Sequence, residues 1–142
     1  MSKEPAIAIR DLDLPLNGAA LRRVWREIGW SDSARTDRAM LEFYSQGSAG
    51  VGTINGEAEC AVLIQPGTMR SDATDLPLCV VSAVTTSRIA RGLSLTQKLT
   101  ARQLAKGQQD GAAVAALGMF DQGPYNKIGF RTGANIKAFS FD

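Results

Sequence analysis

Histidine is absent from the chain, so no imidazole base and no imidazole metal ligand can come from within it. Cysteine is scarce. Cys60 and Cys79 are too few for a disulfide scaffold or a closed zinc site. Both sit in apolar stretches (58–64 and 77–83) without a cationic neighbour, which reads as two small buried hydrophobes and not as nucleophiles. Aromatic residues make up only 6% of the chain, so the core must rest on Ala, Val, Leu and Ile. No apolar run reaches the ~18 residues of a membrane-spanning helix. The opening stretch carries charges and a proline where a secretory signal would be apolar, so a cytoplasmic location is expected. Charge of one sign is also lacking. Sixteen Lys and Arg against 14 acids leave +2, too little to imply nucleic acid or an anionic membrane. What remains is 142 residues, 44% hydrophobic and 21% charged, the profile of a single globular domain.

The alternation over 6–14 predicts a first strand with Ile7, Ile9 and Leu12 inward and Pro15 at its end. Asn17 is a candidate cap for a helix whose apolar stripe is Leu21, Val24, Trp25 and Ile28; Arg22, Arg23, Arg26 and Glu27 fall on the solvated side. A shorter helix is predicted from about Thr36, with Met40, Phe43 and Tyr44 as its stripe and Gly47 as its stop. Asn55-Gly56 between two apolar runs predicts a hairpin. Gln65-Pro66-Gly67 predicts a turn and 69–75 a loop, followed by a buried strand over 76–85. A long helix is expected over 91–109, with Leu93, Ala101, Leu104 and Ala105 sharing one side. A strand over 112–120, a short helix over 122–127 and a last strand over 136–141 complete the chain. The order β-α-α-β-β-β-α-β-α-β predicts a mixed α/β (α+β) architecture. Its sheet is twisted and partly antiparallel, has six to seven strands, and carries about four helices on both faces.

Two segments carry candidate chemistry. In 78–99 a buried strand runs through a short loop with Arg88 and Arg91 into a helix beginning near Gly92, Leu93 and Ser94. Free amides and the helix dipole at such a place suit a pyrophosphate, and so do the arginines. A plain helix start is the other reading, because neither a P-loop nor a dinucleotide fingerprint is present. In 120–130 a short helix presents Tyr125, either as a proton donor or as a packing residue.

Together the two segments resemble the GNAT superfamily of acyl-CoA-dependent N-acyltransferases. The family pattern [Q/R]-x-x-G-x-[G/A] falls on Ile89 to Ser94, where Gly92 matches and Ile89 and Ser94 depart from it. A tyrosine shortly before Gly-Phe is matched by Tyr125 and Gly129-Phe130. The variety most resembled is the amino-terminal domain of acetyltransferases of the "enhanced intracellular survival" type. The resemblance implies that backbone groups around Val84 pair with the pantetheine arm of coenzyme A. It implies that the amides of Arg91, Gly92, Leu93 and Ser94, with Arg88 nearby, hold the pyrophosphate, and that Tyr125 protonates the leaving thiolate. Acetyl-CoA would be the co-substrate, no metal would be needed, and the acceptor would be a small-molecule or peptide amine attacking the thioester directly. Glu57 and Glu59, and also Asp121, are candidates for the base, although the two glutamates also read as a solvated hairpin tip. A non-catalytic acyl-CoA-binding or structural domain of the same fold is the alternative, and an interaction module without coenzyme a third. Six strands are expected where the resembled fold usually has seven. The domain over 1–142 is therefore expected to be truncated at its C-terminal end or to pair its open edge with a second copy.

Overall fold

The computed structural model describes residues 4–118 and 123–133, and its elements follow the expected order. They are β1 (Ile7–Asp11), α1 (Leu14–Glu27), α2 (Ala34–Tyr44), β2 (Ser48–Ile54), β3 (Glu57–Ser71), β4 (Thr74–Thr86), α3 (Leu95–Gln109), β5 (Val114–Leu117) and α4 (Gly123–Asn126). Among the described residues, five strands lie in one sheet in the order β1-β2-β3-β4-β5. The first four are antiparallel neighbours, and β5 runs parallel to β4 after the α3 crossover. The strand expected over 136–141, and with it the open edge on which self-association was predicted, lies outside the described residues. No helix among the described residues is long and apolar enough to cross a membrane.

The sheet has a core on each face. On β3, Cys60, Val62 and Ile64 meet α3 through Leu95 and Leu99, while Ala61 and Leu63 meet α1 and α2 through Leu21, Trp25 and Tyr44. This is the period-two alternation of a strand covered on both sides. On the α3 side, glycines set the approach. A Cβ on Gly50 would stand 2.7 Å from Leu99 Cδ1, and one on Gly107 would stand 2.6 Å from Cys79 Sγ.

Several boundaries differ from the sequence reading, each for a local reason. Helix α1 starts at Leu14, not after Asn17. Asp13 is its cap, accepting the Leu16 N–H at 3.1 Å, and Pro15 sits in the first turn, where its missing N–H costs nothing. Asn17 turns inward instead and accepts from Arg10 Nη1 at 3.0 Å. Ser33 caps α2 by accepting the Thr36 N–H. Phe43, expected on the stripe of α2, is 39% exposed, and Ile7 on edge strand β1 is 47% exposed.

The turn expected at Gln65-Pro66-Gly67 does not form; β3 runs on to Ser71, and the chain reverses at Asp72-Ala73, with Asp72 at φ 51°. Pro66 opposes Cys79 and Pro77 opposes Thr68. Proline offers no ladder donor, so it is tolerated where its nitrogen faces the outer edge. Helix α3 starts at Leu95, not 91, and residues 88–94 form turns before it. Its buried face is Leu95, Leu99, Thr100, Gln103 and Gly107, whereas Leu93, Ala101 and Ala105 are exposed.

Candidate functional site

The site begins with a fault in β4. Leu63 pairs with Ser82 and Ala61 with Thr85, so Val62 alone opposes both Ala83 and Val84. This is a β-bulge, and within it Ala83 takes a left-handed conformation (φ 47°). One extra residue flips the facing of everything after it. Before the bulge the odd residues Cys79 and Val81 face α3; after it Val84 and Thr86 do. Among the described residues, pairing with β5 reaches Val81–Leu117, just before the bulge. Beyond that point a cleft of about 570 Å³ opens between β4, the start of α3 and the segment 124–128.

Residues expected from widely separated parts of the sequence meet in this cleft. Val84 lines it from β4, Arg91, Gly92 and Ser94 from the turns before α3, and Tyr125 from α4. Gly92 sits at φ 82°, and a Cβ added to it would touch nothing within 4 Å, so its space is open. Ser94 takes the cap position of α3 at φ 54° without a side-chain cap bond. Among the described residues, the N–H of Arg91 reaches the Arg88 carbonyl at 3.3 Å and that of Leu93 the Ala90 carbonyl at 3.4 Å, while those of Gly92 and Ser94 have no backbone partner. Amides left free just ahead of a helix suit an anion. Tyr125 is half-buried, with its ring edge-on to Phe130 at 6.1 Å, and its carbonyl accepts the Phe130 N–H at 3.2 Å. The Gly-Phe pair thus closes the turn that carries the tyrosine.

Arg88 and Leu93 do not line the cleft. Glu27 at the end of α1 accepts the Arg88 N–H, and the Arg88 guanidinium lies 4.0 Å from the same carboxylate. Neither glutamate of the hairpin lines the cleft either. Glu57 is exposed at the turn. Glu59 is no solvated tip: it is 3% exposed and is the extra residue of a second bulge, because Gly52 pairs with Cys60 and Thr53 with Ala58. Its Oε1 binds Arg23 Nη2 at 2.7 Å, and its Oε2 is buried without a hydrogen-bond partner among the described residues. Arg23, expected in solvent, therefore ties α1 to this bulge, and it also reaches the Ala58 carbonyl at 3.2 Å. Asp121 lies outside the described residues.

The sequence reading missed the hydroxyls of the cleft wall. Thr86 and Thr96 hydrogen-bond at 2.6 Å, and Thr100 stands one turn further along α3. Threonine at a strand end and in a helix carries no signal that separates it from a surface residue. The cysteines are buried and free, and burial pushes the Cys60 thiol up to about 11 and Cys79 in the same direction. Among the described residues no group of acids and cysteines is placed to hold a metal ion.

This fold, a mixed sheet with β5 parallel to β4 after the α3 crossover, is shared with solved N-acetyltransferase structures. A conserved protein of unknown function from Enterococcus faecalis V583 aligns over 87% of this chain with a TM-score of 0.75 and 13% identity. A GCN5-related N-acetyltransferase from Kribbella flavida aligns over 88% with a TM-score of 0.71 and 18% identity. The aminoglycoside N-acetyltransferase AAC(6')-Iy, solved with coenzyme A, aligns over 99% with a TM-score of 0.73 and 14% identity. The chain spans 31% and 33% of the first two proteins and 98% of the third. No protein-family model and no curated protein sequence matches it.

Proposed function

We propose that the chain is an acyl-CoA-dependent N-acyltransferase domain, with acetyl-CoA as donor and an amine as acceptor. One observation carries this reading: Val84, Arg91, Gly92, Ser94 and Tyr125 line a single cleft of about 570 Å³ beside the bulged end of β4. The residues fit coenzyme A. Uncapped amides at the start of α3, with Arg91 beside them, are suited to the pyrophosphate. The margin of β4 at Val84 and Thr86, which has no strand partner on the cleft side among the described residues, offers backbone groups to an extended arm, as a sheet edge does to an added strand. Arg88 contributes positive charge from outside the cleft. The resemblance of the Arg91-Gly92-Leu93 and Tyr125-to-Phe130 stretches to domains of the enhanced-intracellular-survival type supports the same reading.

In the reaction the amine nitrogen attacks the thioester carbonyl, the C–N bond forms and the C–S bond breaks. The electron pair leaves on sulfur, which takes a proton from the Tyr125 hydroxyl, while the nitrogen gives up a proton to solvent and the Tyr125 phenolate takes one back from it. Holding the two reactants together and polarising the carbonyl are the domain's main contributions. Glu57 and Glu59 stay outside this path, because neither lines the cleft.

A second reading, a coenzyme-binding domain without turnover, is favoured by one observation: among the described residues, no carboxylate lines the cleft. Turnover with a panel of amines separates the two.

Binding is tested at Gly92. Gly92→Glu places a carboxylate among the amides proposed for the pyrophosphate, and it is expected to weaken coenzyme A binding about 100-fold or more by calorimetry, as a like-charge contact in a phosphate site should. Gly92→Ala controls for the backbone. Its Cβ meets open space, so only the left-handed φ costs anything, about 1 kcal/mol, and binding should survive. Equal affinity for the parent and Gly92→Glu would move the site elsewhere.

A further inference from the structure

The peptide between Ala83 and Val84 is the pivot of the cleft, and one side chain outside the cleft holds it. Tyr44, the last residue of α2, is 2% exposed beneath the sheet, stacked on Trp25 with ring centroids 5.5 Å apart. Its hydroxyl donates to the Ala83 carbonyl and lies 3.4 Å from Thr85 Oγ1. Ala83 packs with the core under α1 and α2, Val84 with the core under α3. A bulge frees a carbonyl from the ladder, and a buried free carbonyl needs a donor. Tyr44 supplies it.

The consequence for the cleft follows from peptide geometry. In a trans peptide, the carbonyl and the following N–H point in opposite directions. The Ala83 carbonyl is drawn toward α2, so the N–H of Val84 is turned toward the opposite face, on which the cleft lies. A donor bound to a peptide carbonyl also polarises that peptide and strengthens its N–H as a donor. Burial pushes the Tyr44 phenol up to about 12, so near neutral pH it keeps the proton that it donates.

We infer that Tyr44 is a positioning residue: by holding the Ala83 carbonyl it aims the N–H of Val84 into the cleft, where that N–H polarises the carbonyl of a bound acyl thioester. The inference rests on the acyl-CoA reading above. It assigns a role in the acyl site to a residue that cannot touch the coenzyme.

The test is the infrared stretch of the thioester carbonyl in acetyl-CoA labelled with ¹³C at that carbon, bound to the parent and to Tyr44→Phe, with coenzyme A affinity measured alongside. In the parent the bound carbonyl should absorb at lower frequency than free acetyl-CoA. In Tyr44→Phe the band should return toward the free position while coenzyme A, which lacks the carbonyl, binds within about threefold of the parent, because affinity lies mainly in the pyrophosphate and pantetheine contacts. Tyr44→Phe/Ala83→Gly guards against misfolding. Glycine takes φ 47° without strain but leaves the peptide undirected, so the same loss of shift is expected. A full shift in either folded variant would overturn the role of Tyr44. A parent that binds neither coenzyme A nor acetyl-CoA would overturn the acyl-CoA reading itself, and this inference with it.

Discussion

Tyr125→Phe should lower turnover of acetyl-CoA with an amine by about 10²–10⁴-fold, the range a positioned general acid contributes. Coenzyme A affinity should change by less than about threefold, because the hydroxyl is needed only as sulfur departs and contributes to the transition state without holding the ground state. Two local features that help place the ring survive the substitution. The ring stacks edge-on against Phe130, and the backbone turn from Tyr125 to Phe130 is closed by two N–H groups on the Tyr125 carbonyl, those of Ile128 at 3.1 Å and Phe130 at 3.2 Å. Phenylalanine keeps both. The measurement is single-turnover kinetics, which isolates chemistry from product release. Equal rates for the two proteins would remove Tyr125 from the proton path and leave the coenzyme-binding reading.

Trp25→Ala should cost about 3–5 kcal/mol of stability, the usual range for emptying a large buried aromatic site. Against a total of about 5–15 kcal/mol for an ordinary domain, that is about a fifth or more. Trp25 is fully buried on α1, central to the core under α1 and α2, and stacked on Tyr44 at an interplanar angle of 19°. One feature moderates the loss. The indole Nε1 is buried without a hydrogen-bond partner among the described residues, so its removal also lifts a desolvation cost. The lower half of the range is therefore expected, which corresponds to a fall in melting temperature of about 10–20 °C. Trp30, at 41% exposure, is the internal control, and Trp30→Ala should cost well under half as much. Thermal unfolding followed by circular dichroism makes both measurements. A loss below about 1 kcal/mol for Trp25→Ala would contradict the packing of α1 on the sheet.

The stripe of Leu21, Val24 and Trp25 was legible because a surface helix with one buried face imprints a 3.6-residue period on its sequence. The Asn55-Gly56 hairpin was legible because both positions take positive φ, 52° and 90°, which few residue pairs accept. Helix α3 was misjudged for a physical reason. Its buried face contains Thr100, Gln103 and Gly107, and the Gln103 side chain satisfies itself on the Ser48 carbonyl at 3.0 Å. Buried polar and small residues erase the hydrophobic period. Pro66-Gly67 misled because a proline at an outer edge leaves a strand intact.

The candidate site was legible in its backbone-directed parts, Val84, Arg91, Gly92 and Ser94, and in Tyr125. It was not legible in its electrostatics. Nothing in the spacing of Glu27, Arg23, Arg88 and Glu59 tells that Glu59 is buried on Arg23, or that Glu27 takes the Arg88 amide away from the cleft. Those pairings depend on two bulges and on the register of α1 against β3. Tyr44 was hidden in the same way. It read as one more core aromatic, and its distinction lies in a hydroxyl that meets a carbonyl 39 residues later in the chain.

Calorimetric titration of the parent chain with coenzyme A tests the central claim most directly. The account predicts saturable binding to one site per chain. It also predicts a rise in melting temperature that grows with ligand concentration, amounting to about 2.7 kcal/mol of added stability at a hundredfold excess over Kd. A folded parent that shows neither heat of binding nor any thermal shift at millimolar coenzyme A would contradict it.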